Sequence, residues 1–332
     1  MNLIHLWVFL VGLVVILYVL LDGFSLGVGL LFPSAENEVE QDVLIGTIAP
    51  VWDANQTWIV FGGGALFASF PMIYTVLFSA LYIPLLTFLF GLIFRGVAFE
   101  FRAHSHNKKI WNHAFFWGSL VAAFAQGMTL GGYLSGIQVR DNLFAGGPFD
   151  WLTPFSVMTG AALVIGYMLL GATYVIIKTT GPVQMRAYGQ AFWAACGVAF
   201  FLAAVVGATP YHNPEIVDAW LRPPRAYFVW IFPVFGLISF IFLFIHLKNR
   251  SELQPFIWSS MIFLSAYLAL QSAIFPFAVL PGITVYEAAS QFETLSFTLW
   301  GVALILPVVL GYILYSYRVF QGKVVYGEGY ES

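Results

Sequence analysis

Nine stretches of this chain are each long and apolar enough to cross a bilayer, and that repetition restricts the fold more than any single motif does. A helix rises about 1.5 Å per residue and must cross about 30 Å of hydrocarbon, so some 20 apolar residues are needed per crossing. The stretches lie near residues 3–32, 43–70, 72–95, 112–135, 155–178, 190–208, 226–247, 257–278 and 294–317. Charged residues make up 9% of the chain, against roughly 25% in a soluble domain, so much of the exterior must face lipid. The expectation is an all-α polytopic membrane protein: one transmembrane domain over residues 1–332, ending in a short tail, 318–332, that frays. The opening "MNLIHLWVFLVGLVVILYVLLDGFSLGVG" lacks a basic n-region and outruns a signal h-region, so it reads as a retained first span.

Lysine and arginine in the connections set the orientation. Of the 13 basic residues, Arg140, Arg222 and Arg225 fall on one side, and the others follow spans three, five, seven and nine. The positive-inside rule then puts the N-terminus outside and the C-terminus in the cytoplasm. A net charge of −3 without a long basic run gives no reason to expect nucleic acid. The single cysteine, Cys196, permits neither an internal disulfide nor a cysteine metal cage and reads as a packing residue.

Against this apolar background a few polar residues stand out. In "APVWDANQTWIVFGGGALFASFP", residues 49–71, the apolar part from Trp58 to Phe70 covers only about 20 Å. A spanning helix must therefore start earlier, through Pro50, and draw Trp52, Asp53, Asn55 and Gln56 toward the hydrocarbon, where they have to face protein or water. Gly64 and Ala68 form a small-xxx-small pair for another helix. In span one, "LDGFSLGVG" sets Asp22 and Ser25 three apart on one face, with Gly23 and Gly27 as a GxxxG surface. Span three ends "FLFGLIFRGVAFEFR", bringing Arg95 and Glu100 to the same depth as Asp22 and Asp53. Two readings stay open: a static ion pair clipping three helices together, or a carboxylate left over to exchange protons.

No phosphate-binding or dinucleotide loop is present, and His5, His104, His106, His113, His212 and His246 lie in loops or near span ends. Haem or metal ligation inside this chain is not expected, and Met72, Met128, Met158 and Met168 read as packing residues.

Taken in order, "LDGFSLGVG", "APVWDANQTWIVFGGGALFASFP" and "FRGVAFEFR" make the chain resemble subunit II of the cytochrome bd-type quinol oxidases, the cyanide-insensitive branch included. The resemblance implies a bacterial inner-membrane terminal oxidase that oxidises quinol and reduces dioxygen to water, with nine spans arranged as two four-helix bundles plus one helix. It places the haems, two b-type with one d-type or a b-type replacement, in subunit I. Subunit II would carry none; it would support haem assembly, hold a structural quinone and contribute a cytoplasmic proton path. Phospholipid and small single-span accessory subunits would be further partners. Carried over by motif, Asp53 is the proton relay, Arg95 keeps the high-spin haems in place, and Ser25 stands where the family commonly has Asp. Asp22, Ser25, Trp52, Asn55, Gln56, Trp58, Arg95 and Glu100 form the supporting polar cluster, with Asp53, Asn55 and Gln56 bonded to one another in the interior. A secondary transporter is the competing reading, although spans four to nine offer only scattered polar groups such as Gln126 and Gln271. A purely structural assembly subunit is the third.

Overall fold

The computed structural model describes residues 3–212, 214–280 and 282–324. Helix α1 (Leu3–Leu31) is the longest uninterrupted apolar element near the N-terminus, and a short 3-10 turn at Phe32–Ser34 stops it at Pro33. Helix α2 (Glu38–Ile48) begins at Asn37, whose side chain accepts the Glu40 N–H at 3.0 Å and so satisfies one donor of the first turn. Helix α3 (Trp52–Ser69) follows, then α4 (Pro71–Ala80) and α5 (Tyr82–Ala103).

These helices redraw the second and third predicted spans. The helix does not run through Pro50, which sits in the turn between α2 and α3, so the polar residues occupy the first turns of α3 instead of a kinked interior. Pro71 lacks an N–H and starts a new helix, leaving Phe70 outside helical geometry. Pro84, for the same reason, cannot bond back to Ala80, and α4 ends there.

Helix α6 (Lys108–Leu134) returns across the molecule to a hairpin of β1 (Val139–Arg140) and β2 (Leu143–Phe144). Helix α7 (Pro154–Lys178) opens on a capping box between Thr153 and Ser156. It is followed by α8 (Gly181–His212), α9 (Pro214–Leu221), α10 (Arg225–Lys248) and α11 (Gln254–Ile274). A second hairpin, β3 (Phe277–Val279) with β4 (Ile283–Thr284), and α12 (Val285–Ala288) lead into α13 (Phe292–Val319).

Among the described residues eight helices are long and apolar enough to cross a membrane: α1, α5, α6, α7, α8, α10, α11 and α13. Helix α3 has 18 residues, roughly 27 Å, but Asp53, Asn55 and Gln56 make it too polar to join them. The fold is an all-α polytopic membrane protein. Helix α1 packs on α3, α6 and α7, while α7, α8, α10 and α11 form the second group and α13 flanks α1 and α3.

Two close approaches set the frame. A Cβ on Gly27 would run into the backbone carbonyl of Tyr167, and one on Gly171 into the backbone of Gly27, so α1 and α7 touch backbone to backbone. A Cβ on Gly91 would lie 2.6 Å from the Ala122 N, and one on Gly118 2.7 Å from the Arg95 N, so α5 and α6 meet where Arg95 is mounted. The first contact uses the predicted GxxxG surface. At the predicted Gly64 pair, by contrast, nothing among the described residues lies within 4 Å of a Cβ built on Gly64.

The predicted fraying of the tail is corrected over its first residues. Lys178 on α7 reaches the carbonyls of Phe320 and Gly322, the Val324 N–H donates to the Lys178 carbonyl at 2.8 Å, and Lys323 pairs with Glu252 at 2.6 Å. Residues 325–332 of that tail lie outside the described residues.

Candidate functional site

The centre of the polar cluster is an ion pair fully buried within the protein. Asp22 on α1 and Arg95 on α5 are both fully buried, with Arg95 Nη1 donating to Asp22 Oδ1 at 3.3 Å. The Ser25 hydroxyl, one turn along α1, donates to the same oxygen at 3.0 Å, and the Tyr18 hydroxyl, one turn back, donates to Oδ2 at 3.0 Å. Three donors thus hold one carboxylate, and two of them come from its own helix at spacings that share a face. Burial of such a charge is tolerable only with this degree of satisfaction.

Arg95 is less well served. Its Nε and Nη2 are buried without a hydrogen-bond partner among the described residues. The guanidinium lies 5.4 Å from the centre of the Trp52 ring, which itself contacts Phe99 at 5.1 Å. Trp52, rather than a second carboxylate, covers the open side of the guanidinium.

Asn55 joins α13 to this centre. Its amide donates to the Leu21 carbonyl at 2.8 Å and more weakly to Ser25 Oγ at 3.5 Å, while its Oδ1 accepts the Tyr317 hydroxyl at 3.0 Å. Tyr167 on α7 donates to Gln126 on α6 at 2.8 Å nearby.

The predicted arrangement is corrected in three places. Asp53 is exposed and makes no hydrogen bond or ion pair with the described residues, so the expected two acids around one base become a single acid. The reason is angular: successive helical residues turn by about 100°, so Asp53 and Asn55 point to opposite sides and cannot share one hydrogen-bonded strand. Among the described residues the Nε2 of half-buried Gln56 and the Nε1 of buried Trp58 have no hydrogen-bond partner. Glu100, five residues beyond Arg95, faces away from the pair and is exposed. Asp22, Ser25, Trp52, Asn55 and Arg95 are brought together; Asp53 and Glu100 are not.

Sequence reasoning missed Tyr18 and Tyr317. Tyr18 was discoverable, since it stands four residues before Asp22, whereas Tyr317 is 262 positions from Asn55 and only the fold brings it in. A second group of charges, passed over as loop, surrounds α2. Asp42 accepts from Arg102 at 2.6 Å and Lys108 at 3.3 Å, Lys108 also meets Glu38 at 2.9 Å, and Arg186 on α8 grips Glu40 at 2.7 Å and Glu36 at 2.6 Å. The hydrogen bond from Arg186, helped by the Glu36 N–H, holds the Glu40 carboxyl below the usual range.

The histidines sit near helix ends and in loops, where His5 meets Tyr286 at 2.8 Å and His212 lies against Phe155. No group of three or more His, Cys, Asp or Glu among the described residues is placed to hold a metal ion.

Comparison with known proteins agrees with this architecture. The chain is 30% identical to cytochrome bd-I ubiquinol oxidase subunit 2 of Escherichia coli (strain K12), over 96% of this chain and 94% of that one. It is 29% identical to cytochrome bd ubiquinol oxidase subunit 2 of Bacillus subtilis (strain 168), covering 97% of each. The solved bd oxidase of Geobacillus thermodenitrificans shares the fold, with a TM-score of 0.80 at 17% identity over 96% of this chain and 99% of that one. The family model described as cytochrome bd terminal oxidase subunit II matches residues 3–320, and a match over nearly the whole length means that this chain belongs to the cytochrome bd terminal oxidase subunit II family.

Proposed function

We propose that this chain is the haem-free subunit of a quinol oxidase that reduces dioxygen to water in the aerobic respiratory chain of a bacterial inner membrane. It spans the membrane as one domain, with the N-terminus outside and the 318–332 tail in the cytoplasm, and works with a haem-bearing subunit I. The Asp22–Arg95 pair holds α1 and α5 in register. Its rigidity supports the partner's haems.

The observation that carries the functional part is a stripe on α3. Asp53, Thr57, Val60, Gly64 and Phe67 recur at helical spacing, and every one is exposed. A lone carboxylate at the head of an apolar, glycine-containing face has no partner among the described residues, and an unpaired charge at membrane depth is costly. Such a face fits a second membrane subunit, with Asp53 at its edge able to take protons from water and pass them on. The rest of the polar cluster holds α3 in place and transfers no protons.

Oxygen uptake per haem in the purified complex tests this assignment. Asp53→Asn keeps the shape but cannot carry a proton at neutral pH. The relay reading expects normal haem content with turnover reduced at least ten-fold. Full turnover per haem would remove Asp53 from proton transfer; poor assembly with normal turnover would make it a structural contact.

A further inference from the structure

Two adjoining cavities open where α2 meets the start of α6. The larger, about 310 Å³, is lined by α2, the α5–α6 turn and the first turns of α6, with Gln41, His106, Lys108 and Lys109 among its walls. The smaller, about 180 Å³, shares Gln41, Lys109 and Asn112 with it and is otherwise lined by Phe32, Pro33, His113 and Phe116. A charged hollow therefore adjoins a more apolar one.

The charges in the first chamber do not cancel. Lys108 is taken up by Glu38 and Asp42, and Arg102 by Asp42 and Asn112. Lys109 is exposed and pairs with no carboxylate among the described residues. Gln41 accepts from Asn112 at 2.8 Å through its Oε1, which leaves its NH2 group free to donate. The helix end is not the source of this capacity, because the Asn107 side chain already accepts the Lys109 N–H.

Along α6 the polarity changes in one direction. Lys109, His113 and Phe116 stand at i, i+4 and i+7, a single helical face, and pass from cation to ring to hydrocarbon as the helix enters its apolar length. That sequence of chemistry matches a lipid whose anionic phosphate lies at the interface with its acyl chains below.

We propose that this double cavity binds one anionic phospholipid, its phosphate held by Lys109 and the Gln41 amide and its acyl chain starting between Pro33 and Phe116. The site is independent of the proton-relay reading. It predicts a lipid with a net negative headgroup, since the zwitterionic choline headgroup would set a second cation against Lys109.

The test uses the complete oxidase in mild detergent, loaded with phosphatidylglycerol or with phosphatidylcholine of the same acyl chains, and counts retained lipid by native mass spectrometry. Wild type should keep one phosphatidylglycerol and release phosphatidylcholine. Lys109→Glu should lower retention about ten-fold, and Phe116→Ala about three-fold, with haem content unchanged in both. Lys109 is exposed and makes no ion pair among the described residues, so its replacement should leave the fold intact. Equal retention by wild type and Lys109→Glu, or equal retention of the two lipids, would overturn the proposal. Displacement of phosphatidylglycerol by equimolar glycerol phosphate, with Phe116→Ala indistinguishable from wild type, would instead assign a soluble phosphate ester and overturn the lipid.

Discussion

The Asp22–Arg95 pair and the charged girdle around α2 use the same functional groups under opposite conditions. The first is fully buried and held by hydroxyls of its own helix; the second leaves Glu36 74% and Lys108 28% exposed. Water reaches the outer members of the girdle, while Glu40 and Arg102 are 4% and 5% exposed, so the pairs at its rim contribute little alone and can be lost in turn. The buried pair has no such reserve. Its Coulomb attraction is larger, but so is the desolvation cost, and removing one partner strands the other. Dry pairs fix geometry; wet ones tune it.

The strongest way to break that contrast is Arg95→Ala. Stranding Asp22 should cost about 3–5 kcal/mol, read as a lowered unfolding midpoint of the complex and, on the functional proposal, reduced high-spin haem. If it costs no more than Arg186→Ala, the two regions do not differ as argued. Arg95→Lys should rescue in part: a single Nη1 contact can be replaced by an ammonium, while the packing of a planar guanidinium on Trp52 cannot.

Next in size is Gly27→Ala. Its new methyl has no room against the Tyr167 carbonyl, and overpacking of this kind costs about 1–3 kcal/mol. Thermal unfolding should show it, whereas Gly64→Ala, with open space within the chain, should leave the isolated subunit unchanged.

Tyr317→Phe removes the donor to Asn55 Oδ1 and should cost about 0.5–1.5 kcal/mol. This variant sharpens the comparison by asking how far the dry region extends toward α13. A midpoint equal to wild type would place α13 outside it.

The smallest effect belongs to Glu40, and it depends on pH. Its carboxyl is held down in the fold by Arg186, so its contribution is present above the ordinary carboxylate value and is lost as pH falls through the lowered folded value. Unfolding midpoints of wild type and Glu40→Gln should differ by the equivalent of about 1 kcal/mol at pH 7 and converge in acid. A difference that grows on acidification would have the wrong sign for this ion pair.

Much of the inner site could be read from spacing. Asp22 and Ser25 share a face because they are three apart, and the glycines of span one announce a close neighbour. Asp53 shows where such reading stops. It stands close to Asn55 in sequence, yet two residues along a helix is just over half a turn, and the residues part company. The α2 girdle was hidden for another reason: its acids come from one short segment and its bases from α5, α6 and α8, with no periodicity to link them.

Sequence alone determined the membrane class, most of the crossing helices and the identity of the residues too polar for lipid, because bilayer thickness and the absence of water act on every residue locally. Only the tertiary structure decided which of those residues meet. Arg95 finds Asp22 across 73 positions and Trp52 covers its other side; Tyr317 crosses from the last helix, and Asp53 is turned outward. Partner choice depends on how α1, α3 and α5 sit in the packed bundle; the close contacts at Gly27–Gly171 and Gly91–Gly118 fix α1 against α7 and α5 against α6, and they become defined only when the helices pack.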